Sequence, residues 1–169
     1  NVRRRINWIV DFNERHLPHL FSPADHAYHV AHADRMCATA HEVMVSSESA
    51  RHDFQTFYPN AGKPVHVVRF AVGFAPTSSV TREFINSKYH LSPSYAITPN
   101  QFWPHKNHHL LVRAFAASSF PGQLLLTGAA KSERDPDYLP SLERLIAELK
   151  ATERIRYLGQ IPRDEQLAL

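Results

Sequence analysis

Ser94-Tyr95-Ala96-Ile97-Thr98 runs into the loop Asn100-Gln101-Phe102-Trp103-Pro104-His105-Lys106-Asn107-His108, and Leu110, Leu111, Ala114 and Phe115 follow. The fold is decided by how this stretch is read. The first run is β-branched and aromatic enough for a short buried strand, and the apolar residues after the loop recur at helical spacing. Strand, loop and helix in that order place Lys106 near a helix start, at the carboxyl edge of an α/β sheet. Free backbone N–H groups, the positive end of the helix dipole and the lysine charge all favour an anion such as phosphate there. The same spacing also suits an ordinary turn, with Lys106 a solvated helix-start lysine and Phe102 and Trp103 packed on the core.

The alternation extends in both directions. Downstream, strands are predicted at 95–98, 123–127 and 155–158, with helices at 107–117, 138–151 and from 163 onward. Upstream, strands are predicted at 6–11, 42–45 and 65–70. A helix over 24–40 would bury Ala27, Val30, Ala31, Met36 and Ala40, and another over 49–57 would be capped by Ser46 or Ser47, with Pro59 after its end. Residues 75–93, with Pro76, several Ser and Thr and one short helical piece at 80–87, read as a connection between domains. This pattern belongs to the α/β class, with residues 1–74 and 94–169 as parts of two domains. No internal repeat interrupts it.

The chain has 169 residues, 43% of them hydrophobic, which suits one medium or two small globular domains. No apolar run approaches the roughly 20 residues of a membrane span, and no signal-like leader is evident. The single Cys37 precludes an internal disulfide and suits a reducing compartment, so a cytoplasmic location is expected. A net charge of +3 suits a phosphate-bearing ligand or the inner face of an anionic membrane, and is too small to indicate nucleic acid. The start at Asn1 and the uncapped helix-like end read as an excised fragment.

Two further loops share the predicted sheet edge, Thr127-Gly128-Ala129-Ala130-Lys131-Ser132 and Gly159-Gln160-Ile161-Pro162. Parallel strands end on one edge, so three loops far apart in sequence can contact one ligand. Gly128 and Gly159 either let backbone approach that ligand or relieve tight turns. No glycine-rich dinucleotide fingerprint or P-loop occurs, which argues against NAD enzymes and P-loop ATPases. His26, His29 and His32 recur at spacing three but drift around a helix, so no metal site is expected. His105 and His108 are read as donors to phosphate or to the loop backbone. Asp11, Glu14 and His16 follow the first strand and are candidates for acid–base or acceptor-binding roles, or are ordinary loop residues. No nucleophile elbow surrounds a serine, so covalent hydrolase chemistry has no support.

Three blocks resemble family 4 retaining glycosyltransferases of GT-B architecture. Trp8-Ile9-Val10-Asp11-Phe12 through Leu17-Pro18-His19-Leu20-Phe21-Ser22 is similar to the family's W-I-P-D-F-Q-H…L-P-x-F-F-S segment. Ser46-Ser47-Glu48-Ser49-Ala50 with Asp53-Phe54 resembles its S-S-E-x-A-x-x-D-F block, and the Lys106 loop resembles N-Q-F-W-x-H-K-N-H. The resemblance implies Rossmann-like parallel sheets. Residues 1–74 would end the amino-terminal, acceptor-side domain, 75–93 would connect, and 94–169 would begin the nucleotide-sugar domain. It implies a nucleotide-sugar donor as substrate with no cofactor or metal required, and a glycan or lipid-linked acceptor of a bacterial-type surface polysaccharide. Lys106 would meet the donor diphosphate together with Gln101, which stands where the family usually has an arginine. Thr127 and Gly128 would lie beside the donor, and Gln160 and Ile161 near its base. Glu14, where the family often has a histidine, would join Lys106 as a catalytic candidate. The family's sugar-gripping glutamate pair would fall beyond Leu169, so the fragment itself is expected to be inactive. A nucleotide-sugar epimerase of the same architecture and a noncatalytic nucleotide-binding module are the alternatives.

Overall fold

The structure, a computed structural model, describes residues 4–71, 73, 80–130 and 135–169. The chain divides into two compact units, Asn1–Phe74 and Ala75–Leu169. In the first, β1 (Ile6–Ile9), α1 (Asn13–His16), a single 3-10 turn (Pro18–Leu20), α2 (Pro23–Thr39), β2 (Glu42–Val45), α3 (Glu48–Phe57) and β3 (Val65–Val67) follow in order. The sheet is parallel in the order β1-β2-β3, with Ile9 beside Val45 and Val45 beside Val67. Ile9, Val43 and Val45 join Phe12, Ala50 and Phe54 in one core. On alternate positions of β1, Ile6 and Trp8 stay exposed.

Short polar residues set the helix ends. Ser22 accepts from the Asp25 amide to start α2, and Ser47, not Ser46, caps α3 by accepting from Ala50 N. Ser46 Oγ instead donates to the Val10 carbonyl, joining the loops after β1 and β2. Lys63 Nζ donates to the Cys37, Ala38 and Ala40 carbonyls, so a cation satisfies the carboxyl end of α2. The buried stripe of α2 is Ala33, Cys37 and Ala40, while Ala27 and Ala31 are exposed, which corrects the predicted face. An alanine methyl carries too little apolar surface to mark a face. The polar anchor of Asn7 Nδ2 on the Met36 carbonyl helps to set the rotation instead.

The second unit runs α4 (Arg82–Tyr89), β4 (Tyr95–Pro99), a 3-10 turn (Pro104–Lys106), α5 (His108–Ala117), β5 (Gln123–Thr127), α6 (Tyr138–Glu148), β6 (Ile155–Gly159) and α7 (Arg163–Ala168). Its sheet is again parallel, in the order β4-β5-β6. Phe102, Val112, Phe115, Leu124, Leu126, Leu142 and Ile155 form its core. Two sheets of purely parallel strands alternating with helices make the chain an α/β protein of Rossmann-like halves. No helix among the described residues is long and apolar enough to cross a membrane.

Helix α4 lies in the segment read from sequence as a connection; residues 72 and 74–79 of the boundary region fall outside the described residues. Thr81 caps α4, His90 closes it in a left-handed conformation, and Ile85 is fully buried. Lys88 Nζ donates to both oxygens of the buried Glu165 on α7 at 2.7 and 2.8 Å, and Tyr89 Oη donates to the same carboxylate at 2.6 Å. Hydrogen bonds from Lys88 and then Tyr89 hold the Glu165 carboxyl below the usual carboxylate range. A carboxylate with a depressed folded-state pKa stabilises the fold above its unfolded pKa, and that stabilisation is lost as pH falls through the folded value. Urea midpoints measured from pH 7 to pH 3 are therefore expected to fall on the acid side more steeply for the wild type than for Glu165→Gln. Parallel acid limbs in the two proteins would contradict this linkage.

Candidate functional site

The carboxyl ends of β4, β5 and β6 meet at one edge of the second sheet. Phe102 is drawn inward: its amide donates to the Ala129 carbonyl at 3.4 Å, and its fully buried ring stacks on His108 at 4.7 Å with an edge contact to Tyr157. Trp103, by contrast, is 39% exposed. Phe102 thus takes the core-packing part expected of both aromatics, and Gln101 is left exposed at the strand end.

Lys106 closes the 3-10 turn by donating its amide to the Trp103 carbonyl, and its side chain is exposed. Asn107 adopts a left-handed conformation (φ 51°) and caps α5 by accepting from Leu110 N. His108 N donates to Tyr138 Oη at 3.0 Å, and Leu111 N to the Asn107 carbonyl. Much of the first turn of α5 is therefore satisfied from within the protein. His108 is a buried core residue, stacked on Phe102, rather than the donor to phosphate or to the loop backbone read from the sequence. Burial, then the charges of His109 and Lys106, lower its pKa and keep it neutral. The buried row of α5 is His108, Val112 and Phe115, with Leu110 and Ala114 exposed.

Gly128 makes the convergence of the loops possible. At its φ of 143°, a Cβ would lie 2.1 Å from the Asn100 carbonyl oxygen, so the β4 and β5 loops touch backbone to backbone. Gly128 N donates to the Gly159 carbonyl at 3.0 Å, and Tyr157 Oη donates to the Gly128 carbonyl at 2.9 Å. The β5–β6 register jumps here, from Leu126 beside Tyr157 to Thr127 beside Gly159. Gly159 takes φ 78° with open space where a Cβ would stand, so its requirement is conformational and not a close approach.

These contacts border an open cavity of about 380 Å³. Gln101, Thr127, Gly128, Gln160 and Ile161, all candidates from sequence, line it together, while Lys106 is not among the lining residues. Two residues not anticipated, Arg163 and Gln166, complete the wall from α7. Positions i and i+3 share a helix face, so asking what the helix after Gly159-Gln160-Ile161-Pro162 presents to the strand ends would have found them. Arg163 is the one ionisable residue among the described lining residues. Lys131 and Ser132, read as part of the second loop, lie outside the described residues.

Glu14 belongs to the first unit. It is buried on α1, its Oε1 has no partner among the described residues, and its carbonyl oxygen lies 3.0 Å from His26 Nε2. Asp11 accepts from the Asn13 amide, and His16 pairs with Asp53 at 3.0 Å. No group of three or more potential metal ligands occurs among the described residues; His32 stacks on Tyr28 and His29 meets the Phe21 ring edge-on. Burial pushes the Cys37 thiol upward, so little thiolate is available there.

No family model and no curated protein sequence matches the chain. Solved structures match in fold. A glycosyltransferase from Rickettsia africae superposes with a TM-score of 0.62 at 20% identity, over 75% of this chain and 35% of its own. Sucrose-phosphate synthase from Thermosynechococcus elongatus gives 0.60 at 22% identity, over 79% and 33%. Anabaena HepE, solved with UDP and glucose, gives 0.70 at 21% identity, over 96% and 43%. The chain thus spans between a third and somewhat under half of these structures. At such identities the likeness is one of fold, and the two α/β units are Rossmann-like halves of the GT-B kind.

Gly128→Ala tests whether the loop convergence shapes the cavity. The added methyl must displace the Asn100 backbone and strain a position that L-residues rarely adopt, at a cost of at least about 2 kcal/mol. A fall in the denaturation midpoint with altered amide shifts at Asn100 and Gln101 is expected; an unchanged midpoint and spectrum would contradict the close approach.

Proposed function

We propose that the second unit binds the nucleotide diphosphate of a nucleotide-sugar in this cavity, and that the whole protein is a retaining glycosyltransferase resembling family 4. The observation that carries the reading is the cavity itself, where residues from three strand ends, far apart in sequence, line one space. The fold it shares with a glycosyltransferase, a sucrose-phosphate synthase and a protein solved with UDP-glucose supports it. Gln101, Thr127 and Gly128 would border the donor, with Gln160 and Ile161 toward its base. Lys106, on the loop that begins at Asn100 and Gln101, would reach the diphosphate, where negative charge develops as the glycosidic bond breaks. The donor is then the substrate, with no further cofactor required.

Residues 1–74 would be the acceptor-side part, 75–93 the connection and 94–169 the start of the donor domain. Glu14, buried with one carboxylate oxygen that has no partner among the described residues, would serve the reacting centre in the whole protein. The acceptor would be a glycan or lipid-linked intermediate of surface polysaccharide synthesis, handled in the cytoplasm or at the inner membrane face. Taken alone, a chain covering 33–43% of its structural relatives would behave as a nucleotide-binding module, so binding is the quantity to test.

Calorimetric titration with UDP, GDP and ADP is expected to show one-site binding of at least one nucleotide, weakened about tenfold in Lys106→Ala. Binding of none of the three would sink the nucleotide reading, and unchanged affinity in Lys106→Ala would remove the lysine's role.

A further inference from the structure

The cavity has a charge problem that the loop around Lys106 does not solve from within the wall. A diphosphate carries at least two negative charges, yet Gln101 offers a neutral amide, Thr127 a hydroxyl and Gly128 only backbone. Lys106 and Arg163 are both exposed, but Lys106 lies outside the lining. Arg163 lines the wall and makes no ion pair among the described residues, although Asp164 and Glu165 follow it directly.

The reason lies in how α7 is held. Glu165 is two positions from Arg163, about 200° around a helix, so the two point to different sides. Glu165 is gripped by Lys88 and Tyr89 of α4. Tyr95 Oη donates to the Leu169 carbonyl, fastening the end of the same segment. Glu165, one of the two carboxylates that follow Arg163 directly, is thus committed to the opposite side of α7. Arg163 and Gln166, three apart, share the side that lines the cavity.

We propose that Arg163 is the cation of the cavity wall that pairs with the phosphate oxygens of the ligand, alongside Lys106 from outside the wall, with the Lys88–Glu165–Tyr89 cluster as the device that aims it. This rests on the nucleotide reading above. A guanidinium fork can donate two parallel N–H bonds to two phosphate oxygens, which a point-charge lysine reproduces only in part. Glu165 touches no ligand in this scheme and is a positioning residue; Arg163 is the specificity-determining contact.

The test compares nucleoside diphosphates with their nucleosides, UDP with uridine and likewise GDP with guanosine and ADP with adenosine. Amide chemical-shift titration reads both weak and strong binding. Arg163→Ala is expected to weaken the diphosphate at least tenfold while leaving the nucleoside within about twofold, and Arg163→Lys is expected to recover part of the loss. Glu165→Gln, which keeps Arg163, is expected to weaken the diphosphate more than the nucleoside, at pH 7 and with the circular dichroism of the folded protein intact. Equal diphosphate affinity in Arg163→Ala overturns the assignment and leaves the nucleotide reading standing. An equal loss for diphosphate and nucleoside overturns it too, by placing Arg163 at the base or in the scaffold. If the wild type binds none of the six compounds, the nucleotide reading fails and Arg163 falls with it.

Discussion

The approach of Gly128 to the Asn100 carbonyl is the constraint on which the candidate site depends. It brings two strand-end loops into backbone contact, and the hydrogen bond from Gly128 N to the Gly159 carbonyl brings in the third. Parallel strands share an edge for topological reasons, but a shared edge does not by itself make a cavity. Here Tyr157 Oη donates to the Gly128 carbonyl, and the inward Phe102 ring packs against Tyr157. The same residues therefore belong to the hydrophobic core and to the cavity's support, so the space is set by packing as well as by loop conformation.

Around that support the chemistry is unevenly distributed. The strand-end loops contribute amides, a hydroxyl and backbone, and the charge enters the wall from α7. Helix α7 is short and is held in place by α4 through a buried carboxylate. A segment that reads as a link between domains is, in its helical part, a clamp on the binding unit. The pH sensitivity expected of Glu165 and the aim of Arg163 are consequences of one cluster.

Much of this was legible in the sequence where a periodic signal or a backbone requirement existed. Short apolar runs marked β2, β4 and β5 to the residue or nearly so, and Gly128 after β5 and Gly159 at the end of β6 marked positions with positive φ. Gln101, Thr127, Gly128, Gln160 and Ile161 could be grouped because a parallel sheet places strand ends together. What was hidden had no local signal. The stacking of Phe102 on His108, 4.7 Å apart, is a tertiary contact that turns a polar residue into a core one. The buried stripe of α2 is made of alanines and a cysteine, too weakly apolar to announce itself. Arg163 looks like any solvated charge until Glu165, its near neighbour, is seen to face the other way.

The central claim is one of location: a nucleotide diphosphate sits at the strand ends of the second unit. Two-dimensional amide spectra of the 15N-labelled chain, recorded during titration with UDP, GDP or ADP, locate the binding most directly. Saturable shifts concentrated at Gln101, Gly128, Gln160 and Gln166 are expected. Saturable shifts confined to the first unit, or none with any of the three nucleotides, would contradict it.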